Sequence, residues 1–100
     1  MLMSIAVALA FSAQVAPSEN LRLATQAMDA HDYPAAVGHF RAALKTNPRD
    51  TKILSSLGLC LAGAGNFMEA AEQFRTLVKL EPGVAAHHYN LGLALLSQCE

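Results

Sequence analysis

The side chains that could support chemistry in this 100-residue chain are four histidines, two cysteines and eight acidic residues. His87 and His88 are adjacent. Neighbouring residues of a helix point about 100° apart, so they cannot share a metal ion as an i, i+4 pair does. His31 and His39 lie far from this pair in the sequence. We therefore expect no metal site.

The cysteines and acidic residues also favour structural roles. Cys60 falls on a predicted packing face and is expected to be a small buried residue. Cys99 is expected to be exposed and, if the chain is exported, able to form an intermolecular disulfide. The sequence has no glycine-rich phosphate loop and no nucleophile elbow, and no carboxylate pair that a pocket could tune. We expect no enzymatic activity, no cofactor and no small-molecule substrate.

The composition narrows the class of protein. Seven basic and eight acidic residues give a net charge of −1. A chain without a basic run lacks the surface that neutralises phosphates in nucleic-acid-binding proteins. A hydrophobic content of 53% excludes intrinsic disorder. The length allows one small domain, and the abundance of Ala and Leu favours helices.

The N-terminal segment differs from the remainder because all charged residues fall within 19–100. A mostly apolar stretch from Leu2 to Phe11, followed by small residues, looks like the core and cleavage regions of a secretory signal peptide, although no Lys or Arg precedes it. It is short of the roughly 20 apolar residues that a membrane span requires. Three interpretations of residues 1–16 stay open: a signal peptide, an apolar N-terminal helix and an uncleaved anchor. A signal peptide would direct the protein to the periplasm or outside the cell, and an apolar N-terminal helix would belong to a cytoplasmic protein.

An internal repeat organises the remainder of the chain. Sliding the sequence by 34 residues places Ala36 on Ala70, Phe40 on Phe74, Arg41 on Arg75, Lys45 on Lys79, Pro48 on Pro82, Leu57-Gly58 on Leu91-Gly92 and Leu61 on Leu95. The pattern divides the chain into units 17–50 and 51–84, with half a unit over 85–100.

Each full unit predicts a pair of helices. In the second unit Thr51 is the predicted N-cap, and three leucines share one helical face: Leu54, Leu57 and Leu61. Gly65 can take the left-handed conformation that ends a helix. A second helix is predicted over about 67–80 and is stopped by Pro82. No strand pattern competes with this interpretation.

These residues resemble the tetratricopeptide repeat. The family pattern is carried in the second unit by Leu54, Leu57-Gly58, Leu61, Ala70, Phe74 and Pro82. The resemblance implies an all-α fold in which antiparallel helix pairs stack as a short right-handed α-solenoid of about two and a half units. We expect Gly58 and Gly92 to admit a closely packed helix. His88 takes the large-residue position of the third unit and is expected in the core, with His87 solvated.

The resemblance also implies a function, because the first helices of the units in this family line a concave groove that holds a peptide segment of a partner. Carried over by position, the groove residues are Leu21, Thr25, Met28, Lys52, Ser55, Leu59, Ala62, Ala86, Tyr89, Asn90, Leu93 and Leu96. Family members that clamp a carboxylate tail use cations at positions where none stands here, which disfavours that ligand. We expect an adaptor or scaffold whose protein or peptide partner presents an amphipathic helix or an apolar extended segment.

A second hypothesis is structural. The predicted helix of the third unit is apolar nearly all round, whereas a terminal capping helix is polar outside: its large residues are Tyr89, Leu91, Leu93, Leu95 and Leu96. Such a chain would form a homodimer through this helix or belong to a longer repeat array. Leu93 and Leu96 would then contact a neighbouring repeat or copy instead of a ligand.

Overall fold

The computed structural model of the chain describes residues 17–99. Five helices follow one another in these residues: α1 (Pro17–Asp29), α2 (Tyr33–Leu44), α3 (Thr51–Gly63), α4 (Phe67–Leu80) and α5 (Ala85–Gln98). Each helix packs mainly against its neighbours in sequence. The described part of the chain contains no strand, so the predicted all-α class is confirmed.

The predictions about the leader concern residues 1–16, which lie outside the described residues. Among the helices that the structure describes, none has both the length and the hydropathy of a membrane span.

Aspartates begin two of the helices. Asp50 is the N-cap of α3, where its Oδ1 accepts hydrogen bonds from the backbone N–H of Lys52 at 3.0 Å and of Ile53 at 3.3 Å. The prediction that Thr51 caps this helix is therefore wrong by one residue, because the longer-reaching aspartate side chain satisfies two free amides. Asp32 caps α2 with a single hydrogen bond, which its Oδ1 accepts from the backbone N–H of Ala35 at 3.4 Å.

The turns that end α1 and α3 are built alike. Gly65 has a φ of 86°, which confirms its predicted left-handed conformation, and His31 takes the repeat-equivalent position with a φ of 59°. In both turns the next residue donates its N–H to a carbonyl five residues earlier at 2.8 Å: Asp32 to Ala27 and Asn66 to Leu61. Both turns therefore end their helix with the same left-handed residue and the same closing hydrogen bond.

Two aromatic rings occupy the interior where the units meet. Phe40 and Phe74 lie 34 residues apart and are both buried. A Cβ added to Gly58 would lie 2.8 Å from Cε1 and Cζ of Phe74, so the predicted close packing at Gly58 is confirmed. At Gly92 a Cβ would meet nothing within 4 Å. The prediction that Gly92 admits a closely packed helix is wrong, because no helix in residues 17–99 packs over this side of α5.

The two adjacent histidines are placed opposite to the prediction. His87 is only 7% exposed, and its Nε2–H donates to Oε1 of Glu81 at 2.9 Å. His88 is exposed and donates from Nε2 to the carbonyl of Pro82, also at 2.9 Å.

The physical reason for this exchange lies in the neighbours of each helix. Leu54, the repeat equivalent of His88, is buried because α3 packs between α2 and α4. Helix α5 packs mainly against α4. The face that carries His88 therefore stays open, while His87 takes the buried place that Ile53 has in the second unit.

Candidate partner-binding groove

The helices that begin the units, α1, α3 and α5, frame two depressions. The first lies between α3 and α5 and has a volume of about 250 Å³. We call it the apolar depression, and it is lined by Leu59, Ala62, Phe67, Phe74, Asn90, Leu93, Ala94 and Ser97. None of these side chains is charged.

Exposed leucines form the sides of the apolar depression. Leu59 of α3 is 49% exposed and Leu93 of α5 is 44% exposed, whereas Phe74 at the base is buried. Asn90 and Ser97 add polar groups to an otherwise apolar surface. A concave apolar surface with a few polar groups is the usual composition of a binding site.

The second depression lies between α1 and α3 and has a volume of about 260 Å³. We call it the polar depression, and it is lined by Leu21, Thr25, Phe40, Asp50, Lys52, Ile53 and Ser56. Three of its residues precede residues of the apolar depression by 34 positions: Thr25 precedes Leu59, Phe40 precedes Phe74, and Ser56 precedes Asn90. The two depressions therefore overlap in repeat position, and the remaining residues of each have no counterpart in the other.

Lys52 joins the polar depression to a shallower one beside it. That surface is lined by Thr51, Lys52, Ser55, Ser56, Glu81 and His87. Lys52 is exposed, and no carboxylate of the described residues forms an ion pair with its ammonium within 4 Å. Nearby acidic groups have other partners, since Asp50 caps α3 and Glu81 bonds His87.

Eight of the twelve predicted groove residues line these depressions. The apolar depression brings together Leu59, Ala62, Asn90 and Leu93. The polar depression contains Leu21, Thr25 and Lys52, and Ser55 lies in the shallow surface beside it. The remaining four line none of the three: Met28 is half-buried, and Ala86, Tyr89 and Leu96 are exposed.

Sequence reasoning missed the base of each depression. Phe40 and Phe74 were identified only as recurring repeat positions, yet each lines the base of a depression. Phe67 and Ser97, which close the far end of the apolar depression, were not predicted. The sequence signal that could have identified these bases is the recurrence of phenylalanine at a 34-residue interval. A ring that packs between consecutive units also lies beneath the groove that those units frame.

The cysteines do not belong to either depression. Cys60 is fully buried and Cys99 is exposed, as predicted, and both are free thiols. Burial raises the pKa of the Cys60 thiol, which disfavours the reactive thiolate. Over residues 17–99 no three His, Cys, Asp or Glu side chains cluster as metal ligands.

The helix pairs, the recurring turns and the buried phenylalanines repeat at a 34-residue interval, and a comparison with known families gives that architecture a name. The family model of the tetratricopeptide repeat (TPR) matches residues 21–67 and 61–98. This chain belongs to the TPR family. Its helices form a TPR solenoid, a fold that serves protein–protein interaction in this family.

Similar proteins include two yeast receptors. The chain is 29% identical over 84 residues to a peroxisomal targeting signal receptor of Kluyveromyces lactis, covering 84% of this chain and 15% of the receptor. A receptor of the same name from Candida glabrata is 29% identical over 66 residues, covering 66% of this chain and 11% of the receptor. The chain thus spans a small part of these relatives.

A solved structure supports the same fold. The C-terminal TPR-containing domain of a Plasmodium falciparum protein assigned as an FK506-binding protein superposes with a TM-score of 0.71 at 29% identity. The match covers 82% of this chain and 54% of that one.

Proposed function

We propose that the face framed by α1, α3 and α5 binds an apolar segment of a partner protein, with one anchoring side chain in the apolar depression. The observation that carries the proposal is the pair of exposed leucines, Leu59 and Leu93, on either side of the buried Phe74 ring. Large apolar side chains gathered around a depression are typical of interaction sites.

The chemistry of this site is burial and hydrogen bonding. Enclosing a Leu, Met or Phe side chain of a partner contributes about 1.5–3 kcal/mol. Asn90 and Ser97 can donate to, and accept from, the backbone of the bound segment. Because these interactions involve no bond cleavage or proton transfer, the proposed activity is that of a non-catalytic adaptor.

The relatives support recognition of a segment of another protein. The yeast proteins are named as receptors for a targeting signal. We propose that this chain likewise binds a segment of a protein partner.

The test is selection from a displayed library of random 12-residue peptides. The wild-type protein should enrich peptides with a large apolar residue, and Leu59→Glu should abolish their binding by placing a charge in the apolar depression. Met68→Glu is the matched control, because Met68 is 71% exposed and lies outside that depression. Failure to enrich any peptide, or equal losses in both variants, would contradict the proposal.

A second candidate function is self-association through α5. Tyr89, Leu93 and Leu96 follow i, i+4, i+7 spacing and are exposed by 67%, 44% and 66%, which makes one apolar stripe on the helix. Sedimentation at high micromolar concentration should show a dimer that Leu96→Glu dissociates and Leu59→Glu preserves. A clean monomer in the wild type would exclude this candidate.

A further inference from the structure

We propose that α5 carries a second interaction surface, which binds an amphipathic helix of a partner protein and receives an aromatic side chain of that helix over Gly92. We call this surface the end face and define it by His88, Gly92 and Leu95, which share one side of α5 at i, i+4, i+7 spacing. None of the three lines either depression. Binding at the end face is therefore independent of the proposed function.

The second unit shows what covers such a face. The end-face residues lie 34 positions after three buried residues of α3: Leu54, Gly58 and Leu61. Helix α4 packs on α3 and places the Phe74 ring over Gly58, where a Cβ would lie 2.8 Å from the ring. A Cβ on Gly92 would meet nothing within 4 Å. The end face thus has the glycine that admits a ring on α3, and it is open to solvent over residues 17–99.

The chemistry of the incoming helix follows from the helices that already serve this role. The second helices of the two full units bury the same four positions: Ala36, Val37, Phe40 and Ala43 in α2, and Ala70, Ala71, Phe74 and Leu77 in α4. Small residues bring the backbones close, and the phenylalanine fills the space above the facing glycine. The partner helix should therefore carry small residues at i and i+1, an aromatic residue at i+4 and an apolar residue at i+7, all on one side.

A second copy of this chain does not supply that helix. Over residues 17–99 the two helices with the pattern, α2 and α4, already bury it in the core. A copy would have to unfold to present either one. Helix α5 contains no Asp, Glu, Lys or Arg, so its contact with a partner is apolar and should change little with salt. The occupant is accordingly a helix of another protein with an uncharged contact side.

The experiment uses a fluorescein-labelled synthetic peptide with the sequence of residues 66–82, which contains α4 and its pattern. Fluorescence anisotropy should show binding to the wild-type protein, and Phe74→Ala in the peptide should weaken it at least about tenfold. Gly92→Ala in the protein should weaken it at least about fivefold, because the methyl group takes the space of the ring. Gly83→Ala is the matched control, since a Cβ there also meets nothing within 4 Å, and it should bind as the wild type does.

Folding and other binding modes are separated by the same variants. Gly92→Ala should keep the wild-type circular dichroism spectrum, because its methyl group lies in open space in the free protein. Leu59→Glu should still bind this peptide, because Leu59 lines the apolar depression and not the end face. A loss of binding in Leu59→Glu would place the helix in the apolar depression and overturn the inference.

Three further results would overturn it. Unchanged binding in Gly92→Ala would mean that the peptide binds elsewhere, for example by replacing α4 on α3. A dimer of the wild-type protein that Gly92→Ala dissociates would make a second copy the occupant of the end face. Absence of binding at peptide concentrations up to about 1 mM would remove the surface altogether. Each of these results leaves recognition of an apolar segment at Leu59 and Leu93 untouched.

Discussion

The packing of Phe74 predicts opposite effects for one substitution at two equivalent positions. Gly58→Ala places a methyl group 2.8 Å from two ring carbons of a side chain that is 1% exposed, so the ring must move. Gly92→Ala, 34 residues later, places the same methyl group in open space. Both glycines lie within helices, α3 and α5, so both gain the same helix propensity.

The magnitudes follow from these two terms. Replacing a helical glycine by alanine contributes up to about 1 kcal/mol of stability. Forcing a methyl group into a packed interior costs about 1–3 kcal/mol. Gly92→Ala should therefore raise the free energy of unfolding by up to about 1 kcal/mol, and Gly58→Ala should lower it. The propensity term cancels in the comparison, so the difference between the variants is the steric cost alone.

Urea denaturation followed by far-UV circular dichroism measures both variants. For a domain of this size the slope is about 1 kcal/mol per molar, so the two midpoints should lie about 1–3 M apart. Phe74→Leu should reduce this difference, because the shorter side chain no longer presses on residue 58. Equal stabilisation by Gly58→Ala and Gly92→Ala would refute the claim that the Phe74 ring leaves no room for a side chain at residue 58.

Three further predictions concern the turn, the thiols and the leader. Gly65→Ala should lower the free energy of unfolding by about 1 kcal/mol, because φ is 86° there, whereas Gly83→Ala should be near neutral in the same urea titration. Under native conditions Cys99 should react with a thiol reagent within the mixing time, whereas Cys60 should react only when the protein unfolds. Burial blocks access to the Cys60 thiol and raises its pKa. Equal reaction rates of the two thiols would contradict this prediction. Sequencing the N-terminus of the protein from its native host should find a start after Ser12 or Ala13 if the segment is a signal peptide, and an intact Met1 would favour the apolar-helix interpretation.

Much of the fold was predictable because a repeat supplies its own comparison. The 34-residue offset placed the helix of the second unit over 67–80, where α4 lies, and placed Gly65 in a left-handed turn. The offset is reliable because it comes from aligning two full units with each other, and it does not require a secondary-structure prediction for any single helix. The N-cap of α3 was misplaced by one residue because Thr51 and Asp50 are both good caps and only the backbone geometry separates them.

The errors fall where the environment of the third unit differs from that of the second. His88 and Gly92 have the sequence positions of Leu54 and Gly58, yet both are exposed. Position in a repeat predicts burial only when the flanking helices are the same. In residues 17–99, α3 has packed helices on both sides and α5 packs mainly on α4.

The candidate groove was predictable in its helices and less so in its composition. Three of the positions carried over from the family, Leu59, Ala62 and Leu93, line one depression. They could not show that Tyr89 and Leu96 line neither depression, because the packing of α5 on α4 decides which side of α5 faces α3. Sequence spacing does not contain that packing.

The central claim is that a partner segment binds across the apolar depression. Methyl and aromatic NMR of the protein, titrated with a library-selected peptide, tests it most directly. We predict intermolecular contacts from the apolar residue of the peptide to the Leu59 and Leu93 methyl groups and to the Phe74 ring. Contacts confined to other surfaces, with these three signals unmoved at saturation, would contradict it.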